Sequence, residues 1–325
     1  MLVYSVFYYS KGISEDYDKL RQQVKEGQHV KLEDNHDKKL KSCSLVDQLL
    51  TLPQYLIPQH SLSVLMHRLT QSNVTWFKNL FIRFICWKFK VNLDEAASAD
   101  LTDYASFNAF FTRQLRDGIR PIAEGDDIIV SPVDGAISQL GKVSHGRIIQ
   151  AKGRDYSVTE LLGGNQLLAK QYESGQFATI YLSPRDYHRI HMPVTGKLVA
   201  MRYVPGKLFS VNPRTARAVP ELFARNERLV CQFETEFGPM VMVLVGAIFV
   251  GSMETVWSGQ VTPPYGKAVQ DWQYTGEQAI TLKKGQEMGR FNMGSTVVML
   301  LPNKMNNFNP RWQAGDAIKL GQAMS

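Results

Sequence analysis

The residues with the clearest potential for chemistry lie near the end of the chain, at Gly294-Ser295-Thr296. A polar turn precedes them and the apolar residues 297–301 follow, a pattern that predicts a tight bend entering a buried strand. The serine hydroxyl is a potential nucleophile, and the carbonyl of the glycine beside it is an unhindered electrophile. Gly-Ser-Thr is also ordinary turn chemistry, so the tripeptide alone fits a plain turn as well as a reactive site.

Two other stretches carry side chains suited to acid–base chemistry. Asp134 stands in a Pro/Gly turn after a predicted strand, where it is either a turn former or a placed carboxylate. His188 and His191 lie three residues apart after another predicted strand. A His-x-x-His pair could be half of a metal site, but no cysteine or acidic cluster at ligand spacing accompanies it. We therefore expect no metal, and an acid–base role is the more economical one for these imidazoles.

Asp134, His191 and Ser295 together supply the carboxylate, imidazole and hydroxyl of a catalytic triad. In such a triad the carboxylate orients the imidazole, which takes the proton from the serine. The serine lacks the Gly-x-Ser-x-Gly elbow of α/β-hydrolases, whereas the Gly294 carbonyl offers an intramolecular target at no cost of association. A serine hydrolase with an external substrate remains the alternative, and it would keep an intact chain and react with a fluorophosphonate.

These motifs, in this order, resemble those of phosphatidylserine decarboxylases, a family of self-processing, pyruvoyl-dependent enzymes. The resemblance begins near Leu49, runs to the end of the chain and leaves residues 1–46 outside. Met293 stands where the family usually has leucine, and Val133 where it usually has alanine. The stretches that carry the resemblance are residues 131–135, 187–193 and 294–296, and further 107–111, 204–206, 222–228, 254–257 and 285–291.

The resemblance implies a self-cleavage between Gly294 and Ser295. His191, oriented by Asp134, would deprotonate Ser295, whose oxygen attacks the Gly294 carbonyl and gives an ester. Elimination then cleaves the chain and leaves dehydroalanine, which hydrolyses to a pyruvoyl group at the new N-terminus.

The same resemblance implies the later reaction and its products. The pyruvoyl group from Ser295 is the one cofactor that we expect. It would form an imine with the amine of phosphatidylserine and accept electrons as CO2 leaves, giving phosphatidylethanolamine. The resemblance places His188 at the lipid headgroup, as a proton donor. The two chains, β (residues 1–294) and α (residues 295–325), would stay associated, and a homodimer is expected.

The composition indicates the class of protein, the charge of its partner and the compartment in which this chemistry would operate. With 325 residues, a hydrophobic share of 44% and a charged share of 21%, the chain is that of a folded globular protein. A net charge of +7 favours an anionic partner, either nucleic acid or an acidic membrane surface. The three scattered cysteines predict neither a disulfide framework nor a metal site and fit a reducing compartment best.

One segment before the predicted strands has the character of a membrane-surface helix. Residues 48–93 contain no Asp or Glu, and residues 74–90 within them follow a helical period. A basic, aromatic-rich helix suits the headgroup region of an anionic bilayer, and a helix packed on its own core with a basic edge is the alternative. No apolar run reaches ~18 residues, so we expect no transmembrane helix. The residues on the broad apolar face are Trp76, Phe77, Leu80, Phe84 and Trp87.

We predict an α+β fold in which a helical, membrane-associating part precedes a mainly β catalytic domain. The expected division is a charged extension over residues 1–46, a helical part over 47–120 and the catalytic domain over 121–325. Residues 94–120 are expected to be helical, and residues 156–172 to interrupt the strands with helix. The predicted strands are residues 127–130, 135–140, 147–150, 177–182, 196–204, 229–234, 240–250 and 297–301.

The expected partner is phosphatidylserine in an anionic membrane, with the protein held peripherally at the cytoplasmic face of the inner membrane. A non-enzymatic basic protein that binds membrane or nucleic acid is the remaining alternative. We expect no nucleic acid, because no module of stacked aromatic side chains is recognisable and the positive charge is concentrated in the helical part.

Overall fold

The computed structural model describes residues 43–249, 252–292 and 295–325. Most of the predicted extension, residues 1–42, lies outside the described residues. The expected cleavage position stands at the edge of a gap, because Ser295 is described and Gly294 is not.

The described chain begins with helices that are tied to the rest of the protein by charge. Helix α1 starts in a capping box, in which Ser44 Oγ accepts the Asp47 N–H at 3.0 Å and the Asp47 carboxylate accepts the Ser44 N–H at 3.2 Å. The buried Asp47 carboxylate also accepts from Arg217 Nε at 3.0 Å, which anchors this helix to the mainly β part of the chain. The helices of the first part are α1 (Leu45–Thr51), α2 (Pro53–Leu56), α3 (Gln59–Thr70), α4 (Thr75–Phe89) and α5 (Phe107–Phe111).

Helix α4 confirms the predicted helix, but the face that it buries differs from the broad aromatic face read from the sequence. Its buried residues are Lys78, Ile82 and Ile85, and the Lys78 ammonium donates to the Tyr104 carbonyl at 2.5 Å. Of the predicted apolar face, Trp76, Leu80, Phe84 and Trp87 are exposed, Trp76 by 71%. The helix packs on an apolar cluster through Ile82 and Ile85, so its packing does not decide between the two alternatives, and membrane contact stays a prediction. No helix in the described part of the chain combines the length and the apolar character that crossing a membrane requires.

The prediction of helix over residues 94–120 is largely wrong. Apart from α5, the segment holds only two 3₁₀ turns, Leu93–Glu95 and Leu101–Asp103. Short polar side chains explain the interruptions, because Asp100 Oδ1 accepts the Thr102 N–H at 2.8 Å and thereby starts a new turn. Ser106 Oγ accepts the Ala109 N–H at 3.1 Å and caps α5 in the same way.

Nine strands of the described chain form the main sheet, in the order β11-β6-β7-β8-β14-β4-β1-β15, with β12 also paired to β6. Strand β14 lies between β8 and β4 and is antiparallel to both. Apolar clusters cover both faces, so all six residues of β14 are buried. These strands are β1 (Gly135–Lys142), β4 (Gln176–Tyr181), β6 (Gly196–Val204), β7 (Arg228–Thr235), β8 (Gly238–Val245), β11 (Gln270–Gln273), β12 (Ile280–Leu282), β14 (Thr296–Leu301) and β15 (Ala317–Ile318).

Six of the eight predicted strands are confirmed in place. The two exceptions are residues 127–130, where Val130 forms only an isolated bridge to Ala323, and residues 240–250, where the strand ends at Val245. The predicted helical interruption over residues 156–172 is confirmed by α6 (Val158–Leu161) and α7 (Gln166–Lys170).

A second sheet, with the order β10-β9-β13-β5, stands before β14 in the chain. Strand β13 belongs to this sheet and β14 to the main one, so residues 292–295 join the two sheets. Charged side chains interrupt the apolar pattern of these strands, which is why the sequence did not predict them. The remaining elements are β2 (Arg147–Ala151), β3 (Arg154–Ser157), β5 (Arg189–His191), α8 (Pro213–Ala218), α9 (Leu222–Arg225), β9 (Met253–Thr255), β10 (Gly259–Thr262) and β13 (Glu287–Phe291).

Candidate active site

Two of the predicted site residues, Asp134 and Ser295, lie at one end of strand β4. Its last residue, Tyr181, pairs with Ala136 of β1 on one side and with Thr296 of β14 on the other. Asp134 precedes the first of these partners by two residues, and Ser295 precedes the second directly. The antiparallel register therefore brings the carboxylate and the hydroxyl to the same edge of the main sheet.

Ser295 is held by its backbone and leaves its side chain unused. Its carbonyl accepts the Leu182 N–H at 2.9 Å, which continues the β4–β14 ladder by one residue. The residue is fully buried, yet its Oγ has no hydrogen-bond partner among the described residues. A buried hydroxyl without a partner costs free energy, so native proteins rarely keep one without a reason.

His188 lies in the same buried environment. Its ring stacks on Phe111 of α5 at 4.0 Å between centroids, and Nε2 is 3.0 Å from the Ser183 carbonyl. A carbonyl can only accept, so Nε2 carries the proton, and Nδ1 has no partner among the described residues. Burial and the nearby Arg113 guanidinium lower the pKa of His188 to about 3, so the ring is neutral at physiological pH.

His191 is less buried and has partners for both ring nitrogens. Its Nδ1 is 2.8 Å from the Gly285 carbonyl, which fixes the proton on that nitrogen. Nε2 is 3.1 Å from the Tyr187 hydroxyl, so its lone pair accepts from that O–H. Burial is the main cause that lowers the pKa of His191, which makes the neutral, proton-accepting ring the prevailing form at pH 7.

Asp134 is buried and engaged with cations rather than with an imidazole. Arg120 Nη2 donates to Oδ2 at 2.6 Å, Lys319 Nζ to the same oxygen at 3.1 Å, and the Leu320 N–H to Oδ1 at 2.8 Å. Burial opposes ionisation, but the hydrogen bonds from Arg120 and the charge of Lys319 keep the pKa of Asp134 below its usual range.

The expected hydrogen bond between Asp134 and His191 is not made within the described part of the chain. The physical reason is saturation, since two cations and a backbone N–H already occupy the Asp134 carboxylate. Its negative charge still acts through space, because it raises the pKa of both His188 and His191 against the effect of burial.

Two arginines near the site were not predicted to take part in it. Arg120 is the main partner of Asp134, and it also pairs with Glu95. Arg113 is buried after α5, with Nη2 donating to the Arg185 carbonyl at 3.2 Å, while Nε and Nη1 lack partners among the described residues. Both lie in residues 94–120, which the sequence predicted only as helix, and nothing in it pointed to their burial.

A cleft of about 390 Å³ opens between the α2–α3 junction and the loop after β6. Arg225 lies in the wall of this cleft, against two aromatic rings. Its guanidinium is 5.3 Å from the centre of the Phe209 ring and 5.8 Å from that of the Tyr55 ring. Lys207 and His60 also line it. Among the described residues, no group of three or more His, Cys, Asp or Glu side chains could hold a metal ion.

Comparisons with known proteins give consistent results. A family model described as phosphatidylserine decarboxylase matches residues 107–325, and a second, described as PSD, matches residues 49–90. The phosphatidylserine decarboxylase proenzyme of Dechloromonas aromatica is 56% identical over 278 residues, which cover 86% of this chain and 98% of the relative. The proenzyme of Nitrosococcus oceani is 54% identical over 280 residues, which cover 86% of this chain and 92% of the relative.

Proposed function

The chain belongs to the phosphatidylserine decarboxylase family, and from this premise we propose that it converts phosphatidylserine to phosphatidylethanolamine and CO2 with a pyruvoyl group made from its own Ser295. One observation carries the proposal: the Ser295 hydroxyl is fully buried, has no partner among the described residues and stands directly after the Gly294 carbonyl. A pyruvoyl group supplies a ketone that takes up the amine of the substrate and accepts electron density as CO2 leaves.

His191 is proposed as the base for self-cleavage. Its proton is fixed on Nδ1 by the Gly285 carbonyl, so the lone pair on Nε2 is the one that can receive the proton of Ser295. The Tyr187 hydroxyl now occupies that lone pair and has to turn away first. As the serine oxygen bonds to the Gly294 carbonyl carbon, the negative charge of Asp134 favours the protonated imidazole through space.

His188 is proposed to act after cleavage, as the proton donor to the substrate carbon that loses CO2. Burial keeps the ring neutral before substrate arrives, and a bound substrate carboxylate or phosphate would favour its protonated form. One observation favours the reverse assignment, in which His188 activates Ser295: His188 Nδ1 and Ser295 Oγ are both buried without partners among the described residues. Substitution of each histidine separates the two assignments.

The fragments are proposed to remain one protein after cleavage. The α chain, residues 295–325, would carry strand β14, which pairs with β4 and β8 of the β chain along its length. Its six residues are buried, so separation would expose a large apolar surface. Homodimer formation stays a prediction.

Residues 47–120 are proposed as the membrane-associating part, and residues 121–325 as the catalytic domain. On the apolar face of α4, Trp76 is 71% and Trp87 75% exposed. Exposed apolar patches of this kind mark interaction surfaces, and the absence of acids over residues 48–93 suits an anionic bilayer. We propose peripheral attachment at the cytoplasmic face of the inner membrane, with the cation-lined cleft beside Arg225 facing the lipid headgroups.

The test is substitution of Ser295 by alanine, with Ser258→Ala as the matched control because Ser258 is another serine outside the site. We expect Ser295→Ala to yield one uncleaved chain that releases no CO2 from carboxyl-labelled phosphatidylserine in vesicles, while the control behaves like the wild type. Cleavage of Ser295→Ala would contradict the assignment. A chelator should leave the wild-type rate unchanged; activity that is lost on chelation and restored by a divalent ion would show metal chemistry instead.

A further inference from the structure

A buried polar cluster stands immediately before the proposed cleavage position. The Asn292 side-chain amide donates to Ser252 Oγ at 2.8 Å, and its Oδ1 accepts from Asn108 Nδ2 at 3.1 Å. The Asn292 backbone N–H also donates to the Ser252 carbonyl at 3.1 Å. The three side chains come from α5, from the residue before β9 and from the end of β13, so they tie together three separate elements.

The cluster is buried, so water cannot readily replace a hydrogen bond that is lost there. Asn292 is 4% exposed, Ser252 is 2% exposed and Asn108 is 9% exposed. In such surroundings a polar side chain that loses its partner keeps the cost of desolvation, so the arrangement resists displacement. Asn108 Oδ1 has no hydrogen-bond partner among the described residues.

The segment between Asn292 and Ser295 is held at both ends by different parts of the fold. On one side, the Phe291 N–H donates to the His188 carbonyl at 3.0 Å and Asn292 is bound to Ser252, both within the second sheet or beside it. On the other side, the Ser295 carbonyl is bound to the Leu182 N–H in the main sheet. The scissile bond thus lies in a short stretch between two anchors.

We propose that Asn292, Asn108 and Ser252 form a positioning clamp for self-cleavage, an inference that rests on the proposed function. The clamp fixes the chain two residues before the bond that breaks, so that the Gly294 carbonyl carbon is presented to Ser295 Oγ. The attack forms the new C–O bond and breaks the Gly294–Ser295 C–N bond, with the serine proton ending on the released amine. Intramolecular attack depends steeply on placement, and a shift of about 1 Å can cost about 100-fold in rate.

The clamp also links self-cleavage to the helical part of the protein. Asn108 lies on α5, whose Phe107 ring stacks on Phe81 of α4 at 4.2 Å between centroids. The same short helix places Phe111 on His188. Helix α5 therefore contacts both the clamp and a proposed site imidazole.

The test compares the rates of self-cleavage of the full-length chain, followed by pulse-chase synthesis and denaturing electrophoresis. The variants are Asn292→Ala, Asn108→Ala, their double mutant and Ser252→Ala, with Ser252→Thr as the variant that keeps the hydroxyl. Asn165→Ala is the matched control, because it removes an asparagine that only caps α7. Hydroxylamine is added in parallel, since it splits a Gly294–Ser295 ester if one accumulates.

We expect Asn292→Ala to cleave about 10- to 100-fold more slowly than the wild type, with no faster cleavage in hydroxylamine. Asn108→Ala should be slowed less, and the double mutant should be no slower than Asn292→Ala, because the two amides act as one unit. Ser252→Thr should cleave faster than Ser252→Ala, and Asn165→Ala at the wild-type rate.

The clamp is overturned if Asn292→Ala cleaves at the wild-type rate, or if it accumulates an ester that hydroxylamine splits rapidly. The same holds if the loss of rate follows the loss of thermal stability across all variants, including Asn165→Ala. A wild-type chain that never cleaves would instead overturn the proposed function.

Discussion

Two regions of the molecule break opposite rules of burial. At the end of β4 the structure buries polar groups, with Ser295, His188 and Asp134 each at most 1% exposed. On helix α4 it does the reverse, since Trp76 and Trp87 lie more than two thirds in solvent. A buried polar side chain and an exposed apolar patch are the two departures from the usual burial pattern that carry information about function.

The difference fits the proposed function, in which the buried region reacts and the exposed region binds a membrane. The buried hydroxyl and the His188 Nδ1 atom lack hydrogen-bond partners among the described residues, as expected of groups that wait for a reaction. Trp76, Leu80 and Trp87 of α4 are exposed, as expected of a surface that binds a membrane. Under the proposed function, a lipid substrate would link the two regions, because it would be reached from the bilayer and converted in the buried site.

The buried region should give the largest effects, and its two histidines should give different ones. We predict that His191→Ala accumulates the 325-residue precursor, while His188→Ala still cleaves at least partly but turns over phosphatidylserine about 10²- to 10⁴-fold more slowly. Electrophoresis reads the first effect and CO2 release the second. A block of cleavage in His188→Ala together with normal cleavage in His191→Ala would show that the roles are reversed.

Substitution of Asp134 should have the same effect as substitution of His191, but the variant has to be chosen so that folding is preserved. Asp134→Ala would leave Arg120 and Lys319 without their shared carboxylate, so folding could fail for that reason alone. Asp134→Asn keeps the shape and removes the charge. We predict accumulation of the precursor in Asp134→Asn, and cleavage at the wild-type rate would contradict a role for the carboxylate.

Polar substitutions in the exposed region should weaken membrane binding and leave catalysis unchanged. Changing Trp76, Leu80 and Trp87 to serine should weaken binding to anionic liposomes by about 10-fold or more per side chain, because each loses apolar contact with the bilayer. Self-cleavage should be unaffected. Ile149→Ser and Leu167→Ser are the controls, since these exposed apolar residues lie in the catalytic part. Equal losses in cosedimentation for both sets would mean that α4 is not the membrane surface.

Strand β14 shows what made a strand predictable. It is buried on both faces, and residues 297–301 form a continuous apolar run. Strands β5, β9 and β13 instead carry ion pairs across the second sheet, such as Arg189–Glu287 at 2.9 Å, and their sequences show neither a run nor an alternation. These strands form because they pair with segments that are distant in sequence, and a local sequence pattern does not show such pairing.

The sequence proposed members of the site but did not predict their contacts. Motifs pointed to Asp134, His188, His191 and Ser295, and the β4 register explains why the first and last share an edge of the sheet. The partner of the Asp134 carboxylate was not predictable, because Arg120 competes for it from a segment without regular structure.

A smaller effect is expected in the pH dependence of stability, to which the buried His188 contributes. His188 has a pKa lowered to about 3 in the folded protein, so the unfolded chain binds more protons as the pH falls from about 6.5 toward 3. Acidification through that window should therefore lower the free energy of unfolding, by up to about 1.4 kcal/mol per pH unit. Denaturant unfolding of His188→Gln between pH 7 and pH 5 should show a shallower loss. An identical slope in wild type and variant would contradict the buried, neutral imidazole.

The smallest effect is expected at the start of the chain. Removing residues 1–46 should leave self-cleavage and activity nearly unchanged, while the loss of the Ser44 cap should lower the free energy of unfolding by about 1 kcal/mol. Removing only residues 1–42 keeps the cap and serves as the control. A truncated chain that fails to fold would place the domain boundary earlier in the sequence.

The central claim is that this chain cuts itself between Gly294 and Ser295 and turns the serine into its prosthetic group. Intact-mass analysis of the purified wild-type protein under denaturing conditions tests it most directly. The account predicts two species, residues 1–294 and residues 295–325, the shorter one lighter than its amino-acid sequence requires because its first residue is a pyruvoyl group that reacts with a hydrazide. A single chain of 325 residues with an unmodified Ser295 would contradict it.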